Sequence, residues 1–74
     1  MALELREVDD TTYQSEPNED GKFWRLAREY GGKTPSGNPI NGFWVLRDPD
    51  GKFIDYDQYR HDLESRRGLK LLNL

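Results

Sequence analysis

The sequence predicts a small α+β fold, an antiparallel sheet of three to four strands packed on one C-terminal helix. Three observations carry this expectation. Two strand-forming runs, Phe43-Trp44-Val45-Leu46 and Phe53-Ile54-Asp55-Tyr56, flank the turn formers Asp48-Pro49-Asp50-Gly51. A segment with helix-start and helix-stop chemistry follows directly and ends at Gly68. The third observation is aromatic content, 12% of 74 residues, in a chain that is otherwise polar (34% apolar, 34% charged; mean hydropathy −1.02). Each aromatic can bury roughly 150–250 Å², and disordered chains are poor in them, so a folded chain is expected.

At 74 residues the chain is expected to form one domain with a modest core, burying only about 60% of the surface its unfolded form exposes. Its parts are an acidic first third (1–21), a hairpin–helix unit (42–68) and a Leu-rich tail (69–74).

Taken in order, Leu3 to Val8 and Thr11 to Gln14 are the weaker strand candidates, and residues 15–21 form a turn-rich loop. Lys22 to Tyr30 is ambiguous. Phe23, Leu26, Ala27 and Tyr30 have helical spacing with Gly31 as a stop, whereas a strand would place Trp24, Leu26 and Tyr30 on one face. The tetrapeptide Asp20-Gly21-Lys22-Phe23 recurs as Asp50-Gly51-Lys52-Phe53, where a turn leads into a strand. Four residues are too few for an internal repeat, but the echo favours the strand. Residues 31–41 read as a second loop.

The hairpin spans about 42–56. Pro49 presets the second position of a type I turn, and Gly51 accepts the left-handed conformation that follows. This chemistry gives a three-residue loop with a glycine bulge. Its register would pair Asp48 with Lys52, Leu46 with Ile54, and Trp44 with Tyr56. Trp44, Leu46, Ile54 and Tyr56 then form the core face. Phe43, Val45, Arg47, Phe53 and Asp55 form the opposite face, too apolar to be bare, so partial cover is expected.

The helix is placed at about 57–67. Asp55 or Asp57 can accept hydrogen bonds from its first turn, and Tyr59 and Leu63 share one face. Arg66 and Arg67 suit the negative end of the helix dipole, Gly68 terminates it, and Leu69 can fold back on Leu63. The tail Leu69 to Leu74 reads as a closing strand.

Cysteine is absent, which excludes disulfides and thiolate metal sites. The first eight residues carry Glu4, Arg6 and Glu7 where a signal peptide needs an apolar run. No stretch approaches the ~20 apolar residues of a membrane span, so a cytoplasmic address without membrane contact is expected. Charge is uneven beneath the net −3: residues 1–21 carry −6 and residues 22–74 carry +3.

Three motifs suggest chemistry and fall short of it. Gly31-Gly32-Lys33-Thr34 resembles the end of a phosphate-binding loop, but position 27 is alanine where that loop needs glycine. Asp48, Asp50, Asp55 and Asp57 invite a calcium reading, but the glycine falls at the fourth loop position instead of the sixth. Asp57, His61 and Ser65 would align along a helix, where side chains splay outward instead of converging on a pocket. No enzyme, cofactor or metal site is expected.

The expected function is therefore binding. The leading expectation is a small non-enzymatic protein that binds and modulates another protein, a profile shared with small accessory or viral regulators. Self-association through the second hairpin face or the tail is a variant of it. The alternative is a nucleic-acid-binding accessory protein using the aromatic and arginine residues of 22–74, against which the pI near 5.0 counts. The candidate contact residues are Trp24, Arg25, Arg28, Tyr30, Arg47 and Phe53, of types enriched at interface hot spots. The acids Asp9, Asp10, Glu16, Glu19 and Asp20 are read as an acidic arm steering toward a basic partner.

Overall fold

The computed structural model describes residues 2–73. Among the described residues the chain forms strands β1 (Leu3–Asp9), β2 (Thr12–Gln14), β3 (Arg25–Glu29), β4 (Phe43–Arg47) and β5 (Phe53–Asp57). Helix α1 (Arg60–Arg67) and strand β6 (Leu69–Leu72) follow. The α+β class is as expected, but the sheet has six strands in the order β5-β4-β3-β2-β1-β6, not three to four. Nor is it wholly antiparallel, because β6 runs parallel to β1 with Leu3 opposite Leu69 and Leu5 opposite Leu71. The expected count was low because β1 is interrupted by the charges of Glu4, Arg6 and Glu7 and β2 has only three residues, so both have weak strand patterns of their own.

Five strands follow one another as an antiparallel meander, and α1 then carries the chain across the open side of a curled sheet to β6. Register shifts at Glu7/Asp9 and at Leu46/Arg47 help the curl, since a bulge adds local twist. On the inner face Leu5, Tyr13, Leu26, Trp44 and Leu46 converge on Leu63, the buried residue of α1. Trp24, Ile54, Leu69 and Leu71 pack around that cluster, so Leu69 does fold back onto the core that holds Leu63.

The segment left open between helix and strand is a strand, β3, with Leu26 and Ala27 both buried. Adjacent buried residues point to opposite faces in a strand, so both faces of β3 are covered. Tyr30, expected on the inner face with Trp24 and Leu26, lies just beyond β3 and is 67% exposed. Its ring lies against Gly42.

The Asp48–Gly51 turn forms as expected, with Gly51 N–H donating to Asp48 O at 2.9 Å and Gly51 at φ 81°. Asp48 pairs with Lys52. Beyond that the register differs. The shift at Leu46/Arg47 sets Arg47 opposite Phe53, Leu46 opposite Asp55 and Val45 opposite Tyr56, and Trp44 faces Asp57. Ile54 is the extra residue. Tyr56 therefore leaves the core face expected for it and joins Phe43 and Val45 on the outer face, while Asp55 turns toward α1. There it accepts from Arg66 Nε and Arg67 Nε, both at 2.9 Å.

Helix α1 begins three residues later than expected because Asp57 ends β5. The capping bond expected from Asp55 or Asp57 to the first helical turn does not form, because Tyr59 is the N-cap and carries no side-chain cap. Asp57 Oδ1 instead accepts the Tyr59 N–H at 3.0 Å, just before the helix. Gly68 caps the C-terminus at φ 64° and ψ 41°, donating to Glu64 O. Leu74 of the tail lies outside the described residues. At one end of the sheet, Arg60 lies over the rings of Tyr13 (5.2 Å) and Trp44 (5.7 Å). It also donates to Tyr13 Oη at 2.7 Å, so a cation–π stack closes that end.

Candidate functional site

Because the strands alternate in direction, the β2–β3 and β4–β5 connections lie at the same end of the sheet. Both fold the same way. Asn18 Oδ1 accepts from the N–H groups of Asp20 and Lys22 at 2.9 and 3.0 Å. Asp48 Oδ1 accepts from those of Asp50 and Lys52, both at 2.9 Å. Each turn closes with a glycine in the left-handed region, Gly21 at φ 78° and Gly51 at φ 81°. The Asp-Gly-Lys-Phe echo is thus one turn built twice, from an Asx side chain, an aspartate and a glycine. A Lys22 Nζ–Asp50 Oδ1 contact of 3.3 Å joins the two turns.

Between them lies an open cleft of about 300 Å³, lined by Lys22, Phe23, Arg25, Arg47, Asp48 and Pro49 together with Gly21 and Gly51. Its electrostatics are uneven. Arg25 and Arg47 are direct cross-strand partners, and like charges in that position repel. Glu29 relieves the repulsion from the far end of β3. Its Oε1 accepts Arg47 Nη2 at 2.8 Å and its Oε2 accepts Arg47 Nε at 2.9 Å, a bidentate pair of the stronger kind. Those bonds push the Arg47 pKa up despite the opposing effect of partial burial. Arg47 Nη1 also donates to Gly51 O at 3.2 Å, so its donors are well occupied. Arg25 makes only a 3.4 Å bond to the already engaged Oε2. Two guanidinium groups share one carboxylate.

The same face continues past the cleft. Phe53, opposite Arg47, packs on Tyr56 with ring centroids 5.6 Å apart, and Tyr56 meets Phe43 edge-on at 5.4 Å. All three rings are half-buried. Ala27 and Val45 are fully buried between these rings and the Arg25–Glu29–Arg47 group, at 1% and 0% exposure. The cover expected for the outer face is thus largely supplied by its own side chains.

Of the contact residues read from the sequence, the structure brings together Arg25, Arg47 and Phe53. Trp24 packs against the core. Arg28 points elsewhere and donates to Gly42 O at 3.1 Å, close to Tyr30. The acidic stretch is not an extended arm, because β2 occupies its middle. Asp9 and Asp10 sit at the β1–β2 turn, where Asp9 accepts the Thr11 N–H at 2.9 Å, and that bond lowers its pKa. Glu16, Glu19 and Asp20 lie at the opposite end, with Glu16 3.3 Å from Arg6 and Asp20 in the first twin turn. Sequence reasoning passed over Lys22, Phe23, Glu29 and Pro49. The repeated tetrapeptide was the signal that could have placed the two turns side by side.

The triad alignment dissolves, since Asp57 belongs to β5 and bonds Arg66 Nη1 at 3.1 Å. His61 is exposed beside Asp62. Thr34 of the glycine-rich loop is buried, and its Oγ1 accepts the Asn38 N–H at 3.1 Å within a local turn.

Comparison with protein-family models, with curated proteins and with solved structures found no match in any of the three. Among the described residues, no helix is long and apolar enough to cross a membrane.

Proposed function

We propose that this chain is a small non-enzymatic protein that binds and modulates another protein, using the outer sheet face from the twin-turn cleft to Phe43. The observation that carries this reading is the continuity of that surface. An open cleft lined in part by Phe23 and Pro49 adjoins, through the pairing of its Arg47 with Phe53, the half-buried rings of Phe53, Tyr56 and Phe43. Aromatic and arginine side chains grouped this way are the usual anchors of protein interfaces. Self-association through the same face remains a variant of the reading.

Charge disfavours the nucleic-acid alternative at this site. Lys22, Lys52, Arg25 and Arg47 are matched by Asp20, Glu29, Asp48 and Asp50 around the cleft, so a phosphate backbone gains little there.

The test is capture from a lysate of the source cells by wild-type protein and by a Phe53→Asp variant that melts normally. A nuclease-resistant protein, retained at moderate salt by wild type and by Asp10→Asn but lost with Phe53→Asp, supports the reading. Sedimentation of wild type and Phe53→Asp over a concentration series reads self-association in the same way. Recovery of nucleic acid that disappears at modest salt, or capture indifferent to Phe53→Asp, overturns it.

A further inference from the structure

We propose that the twin-turn cleft takes a peptide segment with one isolated carboxylate, held by Arg25, and an adjacent large apolar side chain lying between Phe23 and Pro49. This rests on the reading of the chain as a protein-binding module and names what its partner must present.

The carboxylate follows from the unequal share of Glu29. Both of its oxygens are taken by Arg47 at 2.8 and 2.9 Å, leaving Arg25 a single 3.4 Å bond to one of them. The Arg25 side chain is 42% exposed, and its planar donor fork matches a carboxylate in two-bond geometry. A second carboxylate would balance the second guanidinium. The other charges lining the cleft are engaged. Lys22 contacts Asp50, and Asp48 accepts two backbone N–H groups of its own turn.

The apolar neighbour follows from the walls, a phenyl ring and a proline ring flanking about 300 Å³, at the small end of ligand-binding clefts. An extended chain suits the site better than a compact metabolite, because the surface runs on to Phe53 and Tyr56. The carboxylate must be isolated. Asp48 lines the cleft and Glu19, Asp20 and Asp50 belong to the two turns beside it, so a run of acids, or a phosphate on every nucleotide, would meet like charge.

The experiment is selection from a displayed random dodecapeptide library on wild-type protein, on Arg25→Gln and on Phe23→Ser, each checked for a cooperative melt. Wild type should enrich sequences with one Asp or Glu beside Leu, Phe or Trp. The best of these should bind at least about tenfold more weakly to Arg25→Gln, as expected for a lost hydrogen bond to a charged group. Arg25→Lys should recover part of the loss. In amide-resolved NMR the same peptide should shift Gly21 and Gly51. Enriched sequences that are neutral, basic or polyacidic, binding unchanged in Arg25→Gln, or no enrichment at all would overturn the proposal. The capture experiment with Phe53→Asp judges the wider protein-binding reading separately, so the two can fail independently.

Discussion

Leu63 connects helix to sheet. It is fully buried against side chains from β1 to β4, and Leu63→Ala should cost about 2–5 kcal/mol by leaving a cavity, measured by urea denaturation. Tyr59, one turn earlier and 56% exposed, should tolerate Ser with little change. Both members of that pair read as one helical face in the sequence, yet only one is core. The spacing would align the two only within one helix, but Tyr59 is the N-cap of α1 with extended backbone, φ −112° and ψ 123°, and so lies off the face that carries Leu63. Asp55 illustrates the opposite case, a residue whose role lay in a partner eleven positions away. Burial alone would raise its pKa, but bonds from Arg66, Arg67 and the Tyr56 N–H bring it below the usual carboxylate range. Asp57 is lowered by the Tyr59 N–H and then by Arg66. A depressed folded-state pKa gives stability that is present above the unfolded value, about 3.9, and lost as pH falls through the lower folded values. The melting temperature should therefore hold from pH 7 to 5 and decline below about pH 4. In Arg66→Ala that acid-dependent decline should be smaller, and an undiminished decline would assign it to other carboxylates.

At the scale of elements, the twin turns are local structures, of which the second, Asp48 to Gly51, was legible in the sequence and the first only as a turn-rich loop with an echoing tetrapeptide. Each is specified by an Asx side chain, an aspartate and a glycine within five residues. Gly51→Val should lower the melting temperature sharply, because a β-branched residue resists φ near 81°. Asn18→Ala and Asp48→Ala each remove one acceptor serving two N–H groups and should cost about 1–2 kcal/mol by chemical denaturation. If only Asp48→Ala destabilises, the two turns are alike in geometry but not in energy. The register of β5 was not legible. The extra residue at Ile54 is held in place by Asp55 reaching Arg66 and Arg67, and a hairpin read by itself contains none of those contacts. The candidate site was half legible for a related reason. Arginine and aromatic types pointed to Arg25, Arg47 and Phe53, but strand pairing alone sets Arg25 opposite Arg47 and leaves Arg28 on another surface.

At the scale of the whole molecule, the pairing of β1 with β6 completes the sheet and covers the β1 edge. Parallel partners joined through most of a chain leave no local signature, so the sequence showed a Leu-rich tail without its neighbour. Ending the chain after Gly68 should abolish cooperative thermal unfolding, followed by near-ultraviolet circular dichroism of the buried Trp44 and Tyr13. The truncation removes Leu69 and Leu71 from the core and exposes the β1 edge. The same pairing has a consequence during synthesis on the ribosome. Strand β1 is made roughly sixty residues before the strand that covers it, and at about 5–20 residues per second it waits on the order of 3–12 s. Hairpins form in about 1–10 μs, so β2 can protect one edge almost at once while the other stays open to a neighbouring nascent chain. Glu4 and Arg6, exposed along that strand, put charge on the waiting edge, a common way of keeping an unpaired strand from recruiting a stranger. Glu4 then meets Lys70 at 3.9 Å when β6 finally docks.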